Sequence, residues 1–105
     1  MAKFALIVTL HAKQGKEAEV EEFLKSAMRL VEAEPHTVSW YALKFDESRF
    51  GIFDTFEHQG GRQEHLMGNV ARELMSRAPD LFTKSPSIAE VEILAEKSEV
   101  ANTNS

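Results

Sequence analysis

The pattern of apolar and polar positions divides the chain into six segments. Residues 3–11 form a nearly unbroken apolar run rich in Phe, Leu, Ile and Val. Continuous apolarity in a strand predicts burial on both faces, because a one-sided sheet would alternate. After the turn Lys13-Gln14-Gly15-Lys16, the spacing predicts a helix over 17–33, with Val20, Phe23, Leu24, Ala27, Leu30 and Val31 on one face. Pro35 ends it, since the residue before a proline avoids the α region. Two aromatic-rich strands, 37–45 and 50–57, flank the polar turn Asp46-Glu47-Ser48-Arg49. A loop of even length would pair Trp40 with Thr55, Tyr41 with Asp54, Ala42 with Phe53 and Leu43 with Ile52. Trp40, Ala42 and Phe53 would then share one side, and Tyr41, Leu43, Ile52 and Phe56 the other. A second helix over 62–77 carries Leu66, Val70, Ala71 and Leu74. Gly68-Asn69 in its middle predicts a break, with Asn69 capping the second piece. Residues 78–85, with Pro79, read as a loop, 87–94 as a last strand and 97–105 as a frayed tail.

The order β-α-β-β-α-β predicts an α+β fold of the ferredoxin-like type, a four-stranded antiparallel sheet with two helices on one face, in a single domain over residues 1–96. Two helices cover only one face of such a sheet. The other would be an apolar patch of a size monomers rarely expose, and packing it against a second copy with two-fold symmetry predicts a homodimer.

Composition narrows the chemistry. The 105 residues are 43% hydrophobic and 28% charged, with a net charge of −5. An acidic chain without a Lys/Arg cluster argues against a nucleic-acid partner, because phosphate binding requires positive charge to displace counterions. The absence of cysteine removes disulfides, thiolate nucleophiles, iron–sulfur clusters and cysteine-ligated zinc. No segment approaches the roughly 18 apolar residues of a membrane span, so a soluble, cytoplasmic protein is expected. No phosphate-cradling glycine loop or dinucleotide fingerprint occurs. His11, His36, His58 and His65 form no local ligand pair, and no metal site is expected.

The chain resembles the antibiotic-biosynthesis-monooxygenase family, small dimeric α/β-barrel proteins with quinol-monooxygenase-like and heme-degrading members. The matching residues are Lys13, Gly15 and Lys16 in the first turn, Trp40-Tyr41-Ala42-Leu43 and Gly51-Ile52-Phe53-Asp54-Thr55-Phe56-Glu57 in the hairpin, His65-Leu66 with Gly68-Asn69, and the strand after Pro86. The likeness spans about residues 3–96. It implies a homodimer with a pocket between sheet and helices in each subunit. In several members that pocket oxidises quinols or anthrone-like molecules with O2 and with neither metal nor flavin. Heme-degrading relatives carry an asparagine in the first strand; this chain has none there, which disfavours heme.

Such chemistry requires a dry cavity, a group to take a phenolic proton and donors for the resulting anion. Arg62, His65, Asn69 and Arg72 would align along one continuous helix. His65, in the family's His-Leu motif, is the candidate acid/base, assisted by Asn69 and Arg72. Trp40, Phe53, Phe56 and Arg62 are candidate substrate contacts, with a small aromatic molecule and O2 as partners and no cofactor. The alternatives are a solvated helix flank, and a non-catalytic dimer that binds a small ligand. Trp40 and Tyr41 must face opposite sides of the sheet. Asp54, alone in an apolar strand, is either exposed at an edge or buried on the Tyr41 side with a raised pKa.

Overall fold

In the computed structural model, which describes residues 2–98, the predicted order of elements is present with shifted boundaries. Strand β1 (Phe4–His11) lies between β3 (Arg49–Phe56) and β4 (Ser87–Glu92), and β2 (Ser39–Lys44) pairs with the far edge of β3. The order β2-β3-β1-β4 is antiparallel throughout. This is the four-stranded α+β fold of ferredoxin-like type. Residues 99–105, most of the expected tail, lie outside the described residues.

The first predicted helix is two, α1 (Glu17–Ser26) and α2 (Met28–Glu32). The Ser26 hydroxyl donates to the Phe23 carbonyl at 2.9 Å, the same oxygen that accepts from Ala27 N. A serine bonding back to its own helix competes with the ladder and bends it. The break ahead of the second helical piece comes at Met67-Gly68, between α3 (Gln59–Leu66) and α4 (Asn69–Leu81). Gly68 occupies the cap and Asn69 is already helical, its side-chain oxygen turned to Arg72 instead of to a backbone amide. Helix α4 runs past Pro79 into the predicted loop. The buried stripe Val70, Leu74, Ala78 and Leu81 continues through it, and burial of that stripe outweighs one amide missing from the last turn. The last strand stops at Glu92, short of the expected 94.

The hairpin register differs by one from the expected one. Asp46 Oδ1 accepts from the amides of Ser48 and Arg49 at 3.0 and 2.8 Å, while Phe45 N donates to Arg49 O. That carboxylate-closed turn leaves an odd loop, Asp46-Glu47-Ser48, and changes the parity of every pair. Trp40 therefore opposes Asp54, Tyr41 opposes Phe53 and Ala42 opposes Ile52. Trp40, Asp54, Phe56 and Leu6 thus share the face toward the helices, where Phe50, Phe56, Leu6, Leu10, Val20 and Leu81 are fully buried. Tyr41, Phe53, Ile7 and Leu43 lie on the other face, which no helix covers among the described residues. There Tyr41 stacks on Phe53 with ring centroids 6.5 Å apart. Among the described residues, no helix is long and apolar enough to cross a membrane.

Candidate functional site

Helix α3 starts directly after β3 and approaches the α2–β2 loop through a glycine. A methyl group at Gly61 would lie 3.2 Å from both Cβ and the carbonyl oxygen of His36. The pair Gly60-Gly61 is therefore more than the start of a helix: Gly61 lets α3 close onto the loop. That approach brings His65 between two carboxylates. Its Nδ1 lies 2.6 Å from Glu34 Oε1, and its Nε2 lies 3.0 Å from Asp54 Oδ2, an ion pair bent too far for a good hydrogen bond. Glu34 Oε1 also accepts from the Thr37 hydroxyl at 2.7 Å. The Phe56 ring backs the imidazole, centroids 5.4 Å apart and tilted.

Asp54 is 1% exposed and His65 8%, so Asp54 is shielded from water and His65 meets it only at one edge. Burial pushes the Asp54 carboxyl above its usual range, against the opposing pull of His65. For His65, burial favours the neutral ring, but the contacts and charges of Asp54 and Glu34 outweigh it and raise the pKa. Both shifts act on stability in the same direction. The stabilisation from His65 is complete below its ordinary value of about 6.5 and is lost as pH rises through the raised folded value. Ionising the buried Asp54 disfavours the folded state progressively above its own ordinary range. The melting temperature, followed by circular dichroism, is therefore expected to fall as pH rises above the ordinary histidine value of about 6.5. In His65→Gln the part of that fall due to the histidine should vanish.

His65 and Glu34 open on a cleft of about 220 Å³ between the α2–β2 loop and the α3–α4 junction, also lined by Asn69 and Arg72. All three residues expected to handle protons and anions, His65, Asn69 and Arg72, thus meet at one cleft. They do not lie along one continuous helix flank: His65 faces inward on α3, whereas Asn69 and Arg72 are on α4, at the rim. Arg72 is held there by the Met67 carbonyl at 2.8 Å and by the Asn69 side chain.

None of the four expected substrate contacts lines this cleft. Phe53 lies on the opposite face of the sheet, through the changed register. Phe56 is fully buried behind His65. Arg62 is 7% exposed and is committed to the sheet: it donates to the carbonyls of Ala5 and Val91 and pairs with Glu90 at 3.1 Å, tying α3 to β1 and β4. Trp40 is buried beside Asp54, and neither its Nε1 nor Asp54 Oδ1 has a hydrogen-bond partner among the described residues. Asp54 is on the helix side, not the Tyr41 side. Glu34 is the member the sequence did not disclose, since it fell between the predicted helix over 17–33 and Pro35. Glu34 and Asp54 meet opposite edges of the imidazole and cannot converge on one point. No group of three or more ligand-type side chains among the described residues is arranged to hold a metal ion.

No protein-family model matches the chain, and no curated protein matches it. Solved structures do. A protein of unknown function from Nitrosomonas europaea is 49% identical, with a TM-score of 0.91 over 93% of this chain and 95% of that one. The chain belongs to the family of that protein. The more distant likenesses bear on fold alone. Another Nitrosomonas europaea protein, provisionally named an antibiotic biosynthesis monooxygenase, is 15% identical with a TM-score of 0.77, covering 88% of this chain and 99% of its own. A protein from Caulobacter crescentus with the same provisional name is 14% identical with a TM-score of 0.74, covering 90% of this chain and 92% of its own. The chain has the antibiotic-biosynthesis-monooxygenase-like fold.

Proposed function

We propose that the chain is a cofactor-independent oxygenase that deprotonates a phenolic, quinol- or anthrone-like molecule at the His65 cleft and lets the resulting anion react with O2. The observation that carries this reading is the buried Asp54–His65–Glu34 chain ending at the cleft. Both ring nitrogens of His65 already face carboxylates, so the histidine itself has no nitrogen left for a substrate. Glu34 is the member with access. Its Oε1 is held by His65 and Thr37, and Oε2 has no hydrogen bond among the described residues. Glu34 Oε2 takes the substrate proton, His65 positions Glu34 and carries compensating charge, and Asp54 holds His65 from behind. Arg72 and Asn69 at the rim face the developing anion.

For a methylene flanked by two aromatic rings, the overall reaction consumes one O2 and gives one diaryl ketone and one water. Two carbon–hydrogen bonds break and a carbon–oxygen double bond forms. The carbanion or phenolate supplies the electrons, one oxygen atom enters the product and the other leaves as water. No external reductant is required. Oxygen uptake with a panel of hydroquinones and anthrones should be catalysed by the native protein and be lost in His65→Ala. Saturable binding of these molecules without oxygen uptake would instead favour a ligand-binding module.

The reading includes a two-fold dimer through the sheet face opposite the helices. Ile7, Tyr41, Leu43 and Phe45 are all exposed on or beside that face in the single chain, a patch that favours a partner. Light scattering should give a mass near twice 11.8 kDa. A monomer at micromolar concentration would remove the dimer from the reading.

A further inference from the structure

The His65 cleft does not end at α4. A groove of about 1110 Å³ runs between the α1–α2 pair and α4, and Leu30, Asn69 and Arg72 line both spaces. Beyond that junction the floor is apolar, formed by Leu66, Phe23, Ala27 and Met75. Arg29, Glu73 and Arg77 also line it: Arg29 is next to Leu30 on α2, and Arg77 lies about two turns beyond Asn69 on α4. Among the described residues Arg29 makes no ion pair or hydrogen bond. Arg77 lies over the Phe23 ring at 5.5 Å and meets Glu19 at 3.4 Å in an exposed pair. Contacts of that kind contribute little and exchange readily. The groove therefore leads from the polar, proton-handling cleft over an apolar floor flanked by two cations, Arg29 and Arg77, against the one carboxylate of Glu73, on a protein whose net charge is −5. From Asn69 to Arg77 is eight residues of helix, or about 12 Å.

We infer that the site takes an elongated amphipathic anion: a hydroxyl-bearing ring in the His65 cleft, an apolar chain along α4 and a terminal carboxylate or similar anion at Arg29 and Arg77. This inference rests on the proposed site for the ring and adds the length and charge of the molecule that enters it. Leu30 and Leu66 pack against the chain, and the arginines select the charged terminus through charge-assisted hydrogen bonds.

The test uses the full-length protein and three probes: 10-(4-hydroxyphenyl)decanoate, its methyl ester, and decanoate, which lacks the ring. Binding is measured by calorimetry at low ionic strength. The acid should bind about tenfold more tightly than the ester, in the range of one charge-assisted contact, and that advantage should disappear in Arg29→Gln/Arg77→Gln. The shorter 3-(4-hydroxyphenyl)propanoate should be unaffected by Arg77→Gln alone, because its carboxylate cannot reach that side chain. Equal affinities of acid and ester in the native protein, or an advantage that survives the double substitution, would overturn the inference. Decanoate separates this inference from the reading of the ring site. If it binds with the same arginine dependence while the ring adds nothing, the groove stands and the oxygenase reading falls. If the ring compounds bind and turn over without any effect of chain or charge, the reverse holds. The melting temperature of the double variant, expected to match the native protein because both side chains are at the surface, excludes misfolding as the cause.

Discussion

Replacing His65 with alanine is expected to destabilise the fold by about 3–5 kcal/mol, the range found when one partner of a buried charge pair is removed. Three losses coincide. Asp54, 1% exposed, keeps a carboxylate with no cation beside it. Glu34 Oε1 loses one of its two donors. The Phe56 ring loses the face packed against it. Against a typical total stability of about 5–15 kcal/mol, this would show plainly in urea denaturation. Most of the loss is assigned to the stranded charge, and the double variant His65→Ala/Asp54→Asn tests that assignment. It should recover a substantial part of the stability, leaving a coupling well outside the roughly 0.5 kcal/mol within which independent sites add. Simple additivity would mean that His65 and Asp54 do not act on each other, and the buried chain would lose its inner member.

The second large effect is on turnover. Glu34→Gln should lower kcat for oxygen uptake by about 100-fold or more, the usual range for loss of a general base, while lowering the melting temperature much less than His65→Ala does. The amide oxygen can still accept from Thr37 and from His65 Nδ1, so the local geometry is kept while the basic carboxylate is lost. The contrast with His65→Ala is diagnostic. One variant loses activity in a stable fold, and the other loses stability together with activity. Full activity in Glu34→Gln would exclude this carboxylate as the base and move proton removal elsewhere along the cleft.

Much of the architecture was legible without coordinates. The βαββαβ order follows from periodicity, because strands and helices bury side chains with periods of about 2 and 3.6 residues. His65, Asn69 and Arg72 stood out as polar groups close to an apolar stripe, and Asp54 as a carboxylate in an apolar strand. What failed was parity and continuity. A one-residue difference in the hairpin loop, set by the Asp46 carboxylate capping two amides, moved Phe53 off the site and placed Asp54 beside Trp40. Arg62 read as a ligand contact because its charge was visible, whereas the carbonyls of Ala5 and Val91 that engage it come from strands distant in the chain.

By itself, then, the sequence determined the elements, their order and the apolar surplus on the sheet, since these depend on local periodicity and composition. It also determined that thiol chemistry is excluded. Only the tertiary structure decided which groups meet. Glu34 and His65 are 31 positions apart, and nothing in their local spacing brings them together. Their contact exists because Gly61 lets α3 close onto the α2–β2 loop and because the odd turn directs Asp54 inward. Encounters of this kind depend on packing between elements, which no single segment encodes.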